Sequence, residues 1–282
     1  MGQARSRFTD LALNCFHLRI ATKLIRFCLT LGLLLLLALG WLWWPAPNRP
    51  PGPPFHFADG FENATTITNL FPHDYSRWHG LQRESSSKPE ANFIELATNI
   101  VHSGTNALKL QAVPYNGHTA SKADIELEKL AFGKGHQVWF SGWYYLVGGT
   151  DAGLTFLWDL ETTQYRNSPG RRLYIQNGEW LASDLGKWWT GKTFRQTKGQ
   201  ETKFPKDQWV RLRVHLILSE GNDGVMEVWQ DDVKVLDAKG KTLPTGRTVY
   251  NRLQVGITAN GSQKFTNTLY LDDIEISNQP LW

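Results

Sequence analysis

Ten segments of this chain alternate apolar and polar side chains, or run apolar for a few residues, and then stop at turn-forming residues. They are "NFIELAT" (92–98), "NALKLQAV" (106–113), "VWFSGWYYLV" (138–147), "GLTFLWDLE" (153–161) and "RRLYIQ" (171–176). The series continues with "WVRLRVHLIL" (209–218), "VMEVWQ" (225–230), "VKVLDA" (233–238), "LQVGITA" (253–259) and "TLYLDDIEIS" (268–277). Side chains on a strand point alternately to its two faces, so this period predicts strands with one face buried. "NG" at 177–178 and 260–261 and "SEGNDG" at 219–224 supply hairpin chemistry. No stretch of more than ten residues holds a helical period, which leaves no crossover helices for a parallel sheet. The expected fold is all-β, an antiparallel jelly-roll sandwich.

One further segment, "SKADIELEK" (121–129), places Asp124, Glu126 and Glu128 on one strand face and Ile125 and Leu127 on the other. Paired carboxylates perform acid–base chemistry on glycosides, but a row of them also makes an ordinary ion-paired sheet face. Lys122 and Lys129 flank the row and offer that pairing. The order Asp-x-Glu-x-Glu differs from the Glu-x-Asp-x-Glu of laminarinase-like glycosidases, so the row reads as the rim of a sugar groove.

The N-terminus has another character. From Phe27 to Trp44 eighteen residues pass without a charge, preceded by Arg5, Arg7, Arg19, Lys23 and Arg26 against Asp10 alone. Such a run is long enough to span a bilayer, and basic flanks stay inside. It ends in tryptophans and proline rather than the small residues of a cleavage site. The reading is therefore a single-pass membrane protein. Its basic segment 1–22 is cytoplasmic, 23–44 is a signal anchor contacting the lipid bilayer, 45–54 is a Pro-rich linker, and the jelly-roll domain 55–282 is periplasmic or extracellular.

The chain has 30 Lys/Arg and 26 Asp/Glu; five of the former and one of the latter precede residue 45, leaving 25 of each beyond it. The outer domain is thus neutral and shows no basic tract of a nucleic-acid binder. Both cysteines, Cys15 and Cys28, lie before or within the apolar run, so disulfides and thiolate chemistry play no part outside it. Within the neutral domain, residues 166–213 hold eleven basic and four acidic side chains, with Tyr174, Trp180, Trp188, Trp189 and Phe194 interleaved. Aromatic faces stack on sugars and arginines fork onto carboxylates, a pattern suited to an acidic polysaccharide. Arg171, Arg172, Tyr174, Lys187, Trp188 and Trp189 are the candidate contacts here.

"VHSGTNALKL" (101–110), "FPKDQWVRLRVHLILSEGNDGVMEVWQDDVKVL" (204–236) and "LYLDDIEIS" (269–277) resemble concanavalin A-like jelly rolls. More narrowly they resemble polysaccharide lyases of the heparin lyase I, glucuronan lyase and alginate lyase kind. The resemblance implies β-elimination on a uronic-acid polymer and makes Lys122 and Asp124 counterparts of a basic–acidic pair in those enzymes. It sets Leu157 and Asp159, on the strand that also carries Trp158, where such lyases show Gln-x-His, and Thr258 where they show tyrosine. Trp158 and Asp159 join the candidate sugar contacts. For proton transfer the candidates are His118, its neighbour Tyr115, and Tyr250. His215 alternates with aliphatics and reads as structural. Jelly rolls of this type often tie their first and last strands with calcium, and Asp59, Glu62, Asp272 and Asp273 are oxygen ligands of the right kind for a structural ion. Three functions remain open: an acidic-polysaccharide-binding module, a lyase, and a non-catalytic structural or protein-interaction domain of the envelope.

Overall fold

The computed structural model describes residues 30–32, 52–84, 91–117, 120–148, 152–164, 170–186 and 192–282. Among these no helix is long and apolar enough to cross a membrane, and the predicted span 23–44 lies outside them except for 30–32. A compact unit runs from Pro47 to Trp282. Its strands are β1 (His56–Asp59), β2 (Gly80–Glu84), β3 (Phe93–Ala97), β4 (Ala107–Ala112), β5 (Ser121–Leu127), β6 (Gln137–Leu146) and β7 (Thr155–Glu161). There follow β8 (Arg171–Gln176), β9 (Trp180–Asp184), β10 (Phe194–Arg195), β11 (Trp209–Ile217), β12 (Val225–Gln230), β13 (Val233–Lys239), β14 (Arg252–Asn260) and β15 (Asn267–Ser277). One short 3-10 turn, Ile67–Leu70, interrupts them.

All ten segments with a strand period are strands, and 121–127 is β5. Four strands had no such signal: β1, β2, β9 and β10. They are at most five residues long, too short for alternation to stand out. Each lies at or near a sheet margin or pairs through one side.

Two antiparallel sheets result. The eight-stranded sheet runs β13-β12-β11-β6-β15-β4-β3, with β1 also on β15; the seven-stranded sheet runs β10-β9-β8-β7-β14-β5-β2. Their inner faces make one apolar core. Leu108, Leu110, Phe140, Leu212, Val214, Leu271 and Ile276 come from the first sheet, and Ile125, Leu127, Leu160, Leu173, Val255 and Ile257 from the second. Trp158 belongs to this core, its ring 5.8 Å from that of Phe140 on the opposite sheet. Burial of each such side chain contributes about 1.5–3 kcal/mol, a scale that only a sandwich with two covered faces reaches many times over.

Alternation fails where the sheet bends. In β7 the register shifts between Phe156 and Trp158, so Leu157 and Trp158 both enter the core while Phe156 and Asp159 face out. In β14 it shifts between Val255 and Ala259, beside Gly256 at φ +126°. A Cβ at Gly256 would lie 2.8 Å from the Ala123 carbonyl oxygen and 3.0 Å from the Asp124 Cα, so the close approach of β14 to β5 needs glycine there.

Candidate functional site

The outward side chains of the seven-stranded sheet form an ordered field. One row crosses six strands in register: Gly80 (β2), Glu126 (β5), Gln254 (β14), Asp159 (β7), Arg172 (β8) and Asp184 (β9). Beside it, Gln82 faces Asp124, which faces Gly256. On the other side, Glu161 faces Arg252. The period-two reading of β5 therefore holds: its carboxylates share the face away from the core.

Their environments differ sharply. Glu126 accepts from Gln82 Nε2 at 2.5 Å and Gln254 Nε2 at 2.6 Å, and Lys122 Nζ donates to Gln82 Oε1 at 2.7 Å. Arg252 gathers three acids, 2.5 Å from Glu128, 3.4 Å from Glu126 and 3.9 Å from Glu161. The row is thus ion-paired as expected, but by Arg252 rather than by Lys122 or Lys129. Asp124 is not solvated: it is fully buried, and neither carboxyl oxygen has a hydrogen-bond partner among the described residues.

Among the described residues, four side chains of the field carry buried oxygens without a partner. They are Asp124 (both oxygens), Asp159 Oδ1, Gln254 Oε1 and Thr258 Oγ1, on the three adjacent strands β5, β14 and β7. Unpaired buried polar atoms cost about 1–3 kcal/mol each, so a cluster of them marks a place where a polar ligand gains by binding. Burial holds the Asp124 carboxyl well above the usual carboxylate range, against the opposing pull of Lys122. Asp159 is raised too, by burial and then by Glu161, with which it shares a hydrogen bond; Glu161 is itself raised by burial. Burial therefore disfavours the charged forms of the acids on the floor of this field, so they repel an anion less than exposed carboxylates do.

Toward β9 the field opens into a cavity of about 570 Å³ lined by Leu154, Phe156, Arg172, Tyr174, Gln176 and Asp184 among others. Phe156, Tyr174 and Ala182 pack together on this outer face. The Arg172 guanidinium lies 4.3 Å over the Phe156 ring and 2.8 Å from Asp184. Burial also pushes the Tyr174 phenol up, so it stays protonated and can donate.

Several expected site residues lie elsewhere. Trp158 is in the core. Arg171 is fully buried against the Phe194 ring at 4.0 Å, burial lowering it to about 10. Tyr250 is buried too, its hydroxyl donating to the Thr242 carbonyl at 2.8 Å, and burial raises its pKa far above the usual value. Facing a strand residue that points inward, these chains follow the core side of the pleat. Tyr115 sits between β4 and β5 with its N–H on the Ser262 carbonyl. The basic cluster of 166–213 is divided, since Arg211 and Arg213 stand on β11 in the other sheet. His118, Lys187, Trp188 and Trp189 lie outside the described residues. Lys122, Asp124, Asp159, Arg172 and Tyr174 are brought onto one face. Missed beside them were Gln82, Glu161, Arg252, Gln254, Phe156 and Asp184; for Arg252 and Gln254, alternation in "RLQVGITA" carried the signal.

The carboxylates expected to hold calcium are already satisfied. Asp59 accepts from Arg77, Trp78 Nε1 and the Phe61 N–H. Glu62 accepts from Thr105 and the Asn106 N–H, while Asp272 and Asp273 accept from His102 and Ser103. Among the described residues no three His, Cys, Asp or Glu side chains gather to hold a metal ion.

The sequence matches the polysaccharide lyase family over residues 72–275. The chain belongs to that family. No curated protein matches the sequence. Among solved structures in the family's fold, the endo-β-1,4-glucuronan lyase of the fungus Trichoderma reesei aligns with a TM-score of 0.54 at 14% identity, covering 72% of this chain and 91% of that one. The cellulose-induced protein Cip1 aligns with a TM-score of 0.57 at 16% identity, covering 79% and 97%. The alginate lyase Aly36B aligns with a TM-score of 0.47 at 10% identity, covering 80% and 97%. At such identities the likeness is one of fold, and the site has to be read from this chain's own residues.

Proposed function

We propose that the outer face of the seven-stranded sheet binds a stretch of acidic polysaccharide, presented outside the cell on the apolar segment 23–44. One observation carries this reading: a cavity walled by Phe156, Tyr174 and Arg172 adjoins four buried side chains whose oxygens lack partners. Rings of Phe156 and Tyr174 offer apolar faces to a sugar. Arg172 and Lys122 supply positive charge, and burial, which disfavours the charged forms of Asp124 and Asp159, lowers the repulsion an anion would meet. Family membership supports a polysaccharide as the ligand class.

Titration of the full-length chain in detergent with glucuronan oligosaccharides tests this. Loss of a charge-assisted bond in Arg172→Ala weakens binding about tenfold, and Tyr174→Ala weakens it comparably. Binding unchanged in both variants overturns the reading.

Family membership also favours a lyase acting by β-elimination. That chemistry needs a group against the uronate carboxylate, a base at the C5 proton and an acid at the leaving oxygen. Lys122 or Arg172 fits the first role, and His118 and Tyr115 remain for proton transfer, while Arg171 and Tyr250 are removed by burial. A rise in ultraviolet absorbance from unsaturated uronate products, lost in Lys122→Ala or Arg172→Ala, establishes elimination; a flat trace leaves a binding module. Alkaline phosphatase fused after residue 54, active only when exported, checks the orientation of the anchor.

A further inference from the structure

We propose that the outer face of the eight-stranded sheet carries a second saccharide-binding site, independent of the first, built from Trp139, Trp229, Trp282 and Arg213 and taking an anionic sugar unit. Alternation on β6, β11 and β12 sends Phe140, Val214 and Val228 into the core and leaves Trp139, Arg213 and Trp229 on the far side. Arg213 lies in register between Ser141 and Trp229, and His215 between Trp139 and Glu227. Trp282 comes back over this patch. Its ring stands edge-on to Trp139 at 4.8 Å and to Trp229 at 5.7 Å, with the Arg213 guanidinium 5.4 Å from its centre.

Two donors point to a ligand. Trp139 Nε1 and Arg213 Nε are buried and have no acceptor among the described residues. The other contacts of Arg213 run from Nη2 to the Asp231 carbonyl at 2.5 Å and to the exposed Asp232 carboxylate at 3.2 Å. Nearby, Glu227 is engaged with His215 and Lys234. A ligand bearing acceptor oxygens and a flat apolar ring face satisfies both kinds of group: oxygens for the orphaned N–H donors, C–H faces for the indoles. That is the chemistry of a sugar, and a carboxylate suits the guanidinium best.

A protein partner fits less well. On this sheet the exposed large apolar side chains, among the described residues, are Val233 and Trp282, far less than a stable protein interface covers. The patch lies on the opposite sheet from Arg172 and Tyr174, with the core between them, so the two sites engage separate stretches of polysaccharide.

The test is titration calorimetry of the full-length chain in detergent with glucuronan oligosaccharides. Two sites per chain are expected, falling to one in Trp229→Ala/Trp282→Ala and to one in Arg172→Ala/Tyr174→Ala. Arg213→Lys, which keeps the charge but lacks Nε, also removes the second site. Quenching of tryptophan fluorescence by ligand persists in the Arg172/Tyr174 variant and is lost in the Trp229/Trp282 variant. One site in the wild type that survives in the tryptophan pair and in Arg213→Lys, or a two-site stoichiometry that neither variant alters, overturns the proposal. Loss of binding only in the tryptophan and Arg213 variants retains it and sinks the reading of the other face instead.

Discussion

Asp124 on β5 lies directly opposite Gly256 on β14, and neither oxygen of its carboxyl group has a partner among the described residues. The missing Cβ lets β14 approach the backbone of β5, and burial of the carboxyl raises its pKa well above the usual range. The folded chain then keeps a proton that the unfolded chain releases above about pH 4. Stability from this group is full below that pH and is lost as pH rises through the folded-state value. Asp124→Asn keeps the shape without the titration. Urea unfolding at a series of pH values is expected to show little difference from wild type near pH 4 and a more stable variant at pH 8; a constant difference across the range rules out a buried protonated Asp124.

Arg252 holds Glu126, Glu128 and Glu161 together. Without it three like charges share one corner of the sheet. The guanidinium is a quarter exposed, so the loss falls between that of surface pairs and buried ones. Arg252→Ala is expected to cost about 1–2 kcal/mol, and Arg252→Lys less, because an ammonium keeps the charge although it cannot reach three carboxylates. Denaturant midpoints of the two variants decide it: equal losses mean that the fork, not charge alone, does the holding, and no loss in Arg252→Lys means that charge alone suffices.

Tyr250 tests the division between core and site. Its hydroxyl donates to the buried Thr242 carbonyl and faces no ligand. Tyr250→Phe is expected to lower stability by about 1 kcal/mol while leaving oligosaccharide binding and any elimination activity as in the wild type. A selective loss of activity at unchanged stability would return Tyr250 to the chemistry.

These residues also show what the sequence makes legible. The period of two exposed ten strands and the shared face of Asp124 and Glu126, because a half-buried strand writes its burial into every second residue. Trp158, a candidate sugar contact, is instead in the core beside Leu157, because one inserted residue in β7 reverses the pleat, and a bulge has no pattern of its own. Arg171 and Tyr250 were misplaced because residue type, not face, suggested them; a polar tip on a large apolar body enters a core when one backbone or ring partner receives it. Arg172, one residue from Arg171, faces out, so alternation applied strictly to "RRLYIQ" would have separated the pair. Nor could spacing reveal that Arg252 replaces Lys122 as the partner of the acidic row, since β5 and β14 pair across more than a hundred residues of sequence.

The "NG" dipeptide at 177–178 links turn chemistry to the cavity. Asn177 and Gly178 have φ of +54° and +69°, a left-handed pair in the three-residue turn, 177–179, that joins β8 to β9. The Gly178 N–H also donates to the Gly153 carbonyl at 2.6 Å, fixing the turn against the loop that lines the cavity. Through this hairpin Arg172 meets Asp184 and Tyr174 meets Ala182. An alanine at 178 pays the left-handed penalty of about 1 kcal/mol, which for a domain of this size lowers the melting temperature by about 2–4 °C. Because the strain is relieved by shifting the turn, Gly178→Ala is also expected to weaken oligosaccharide binding more than its stability loss suggests. Asn177→Asp, which tolerates the same conformation, leaves both nearly unchanged. If Gly178→Ala binds as the wild type does while melting lower, the hairpin supports the fold without setting the shape of the cavity.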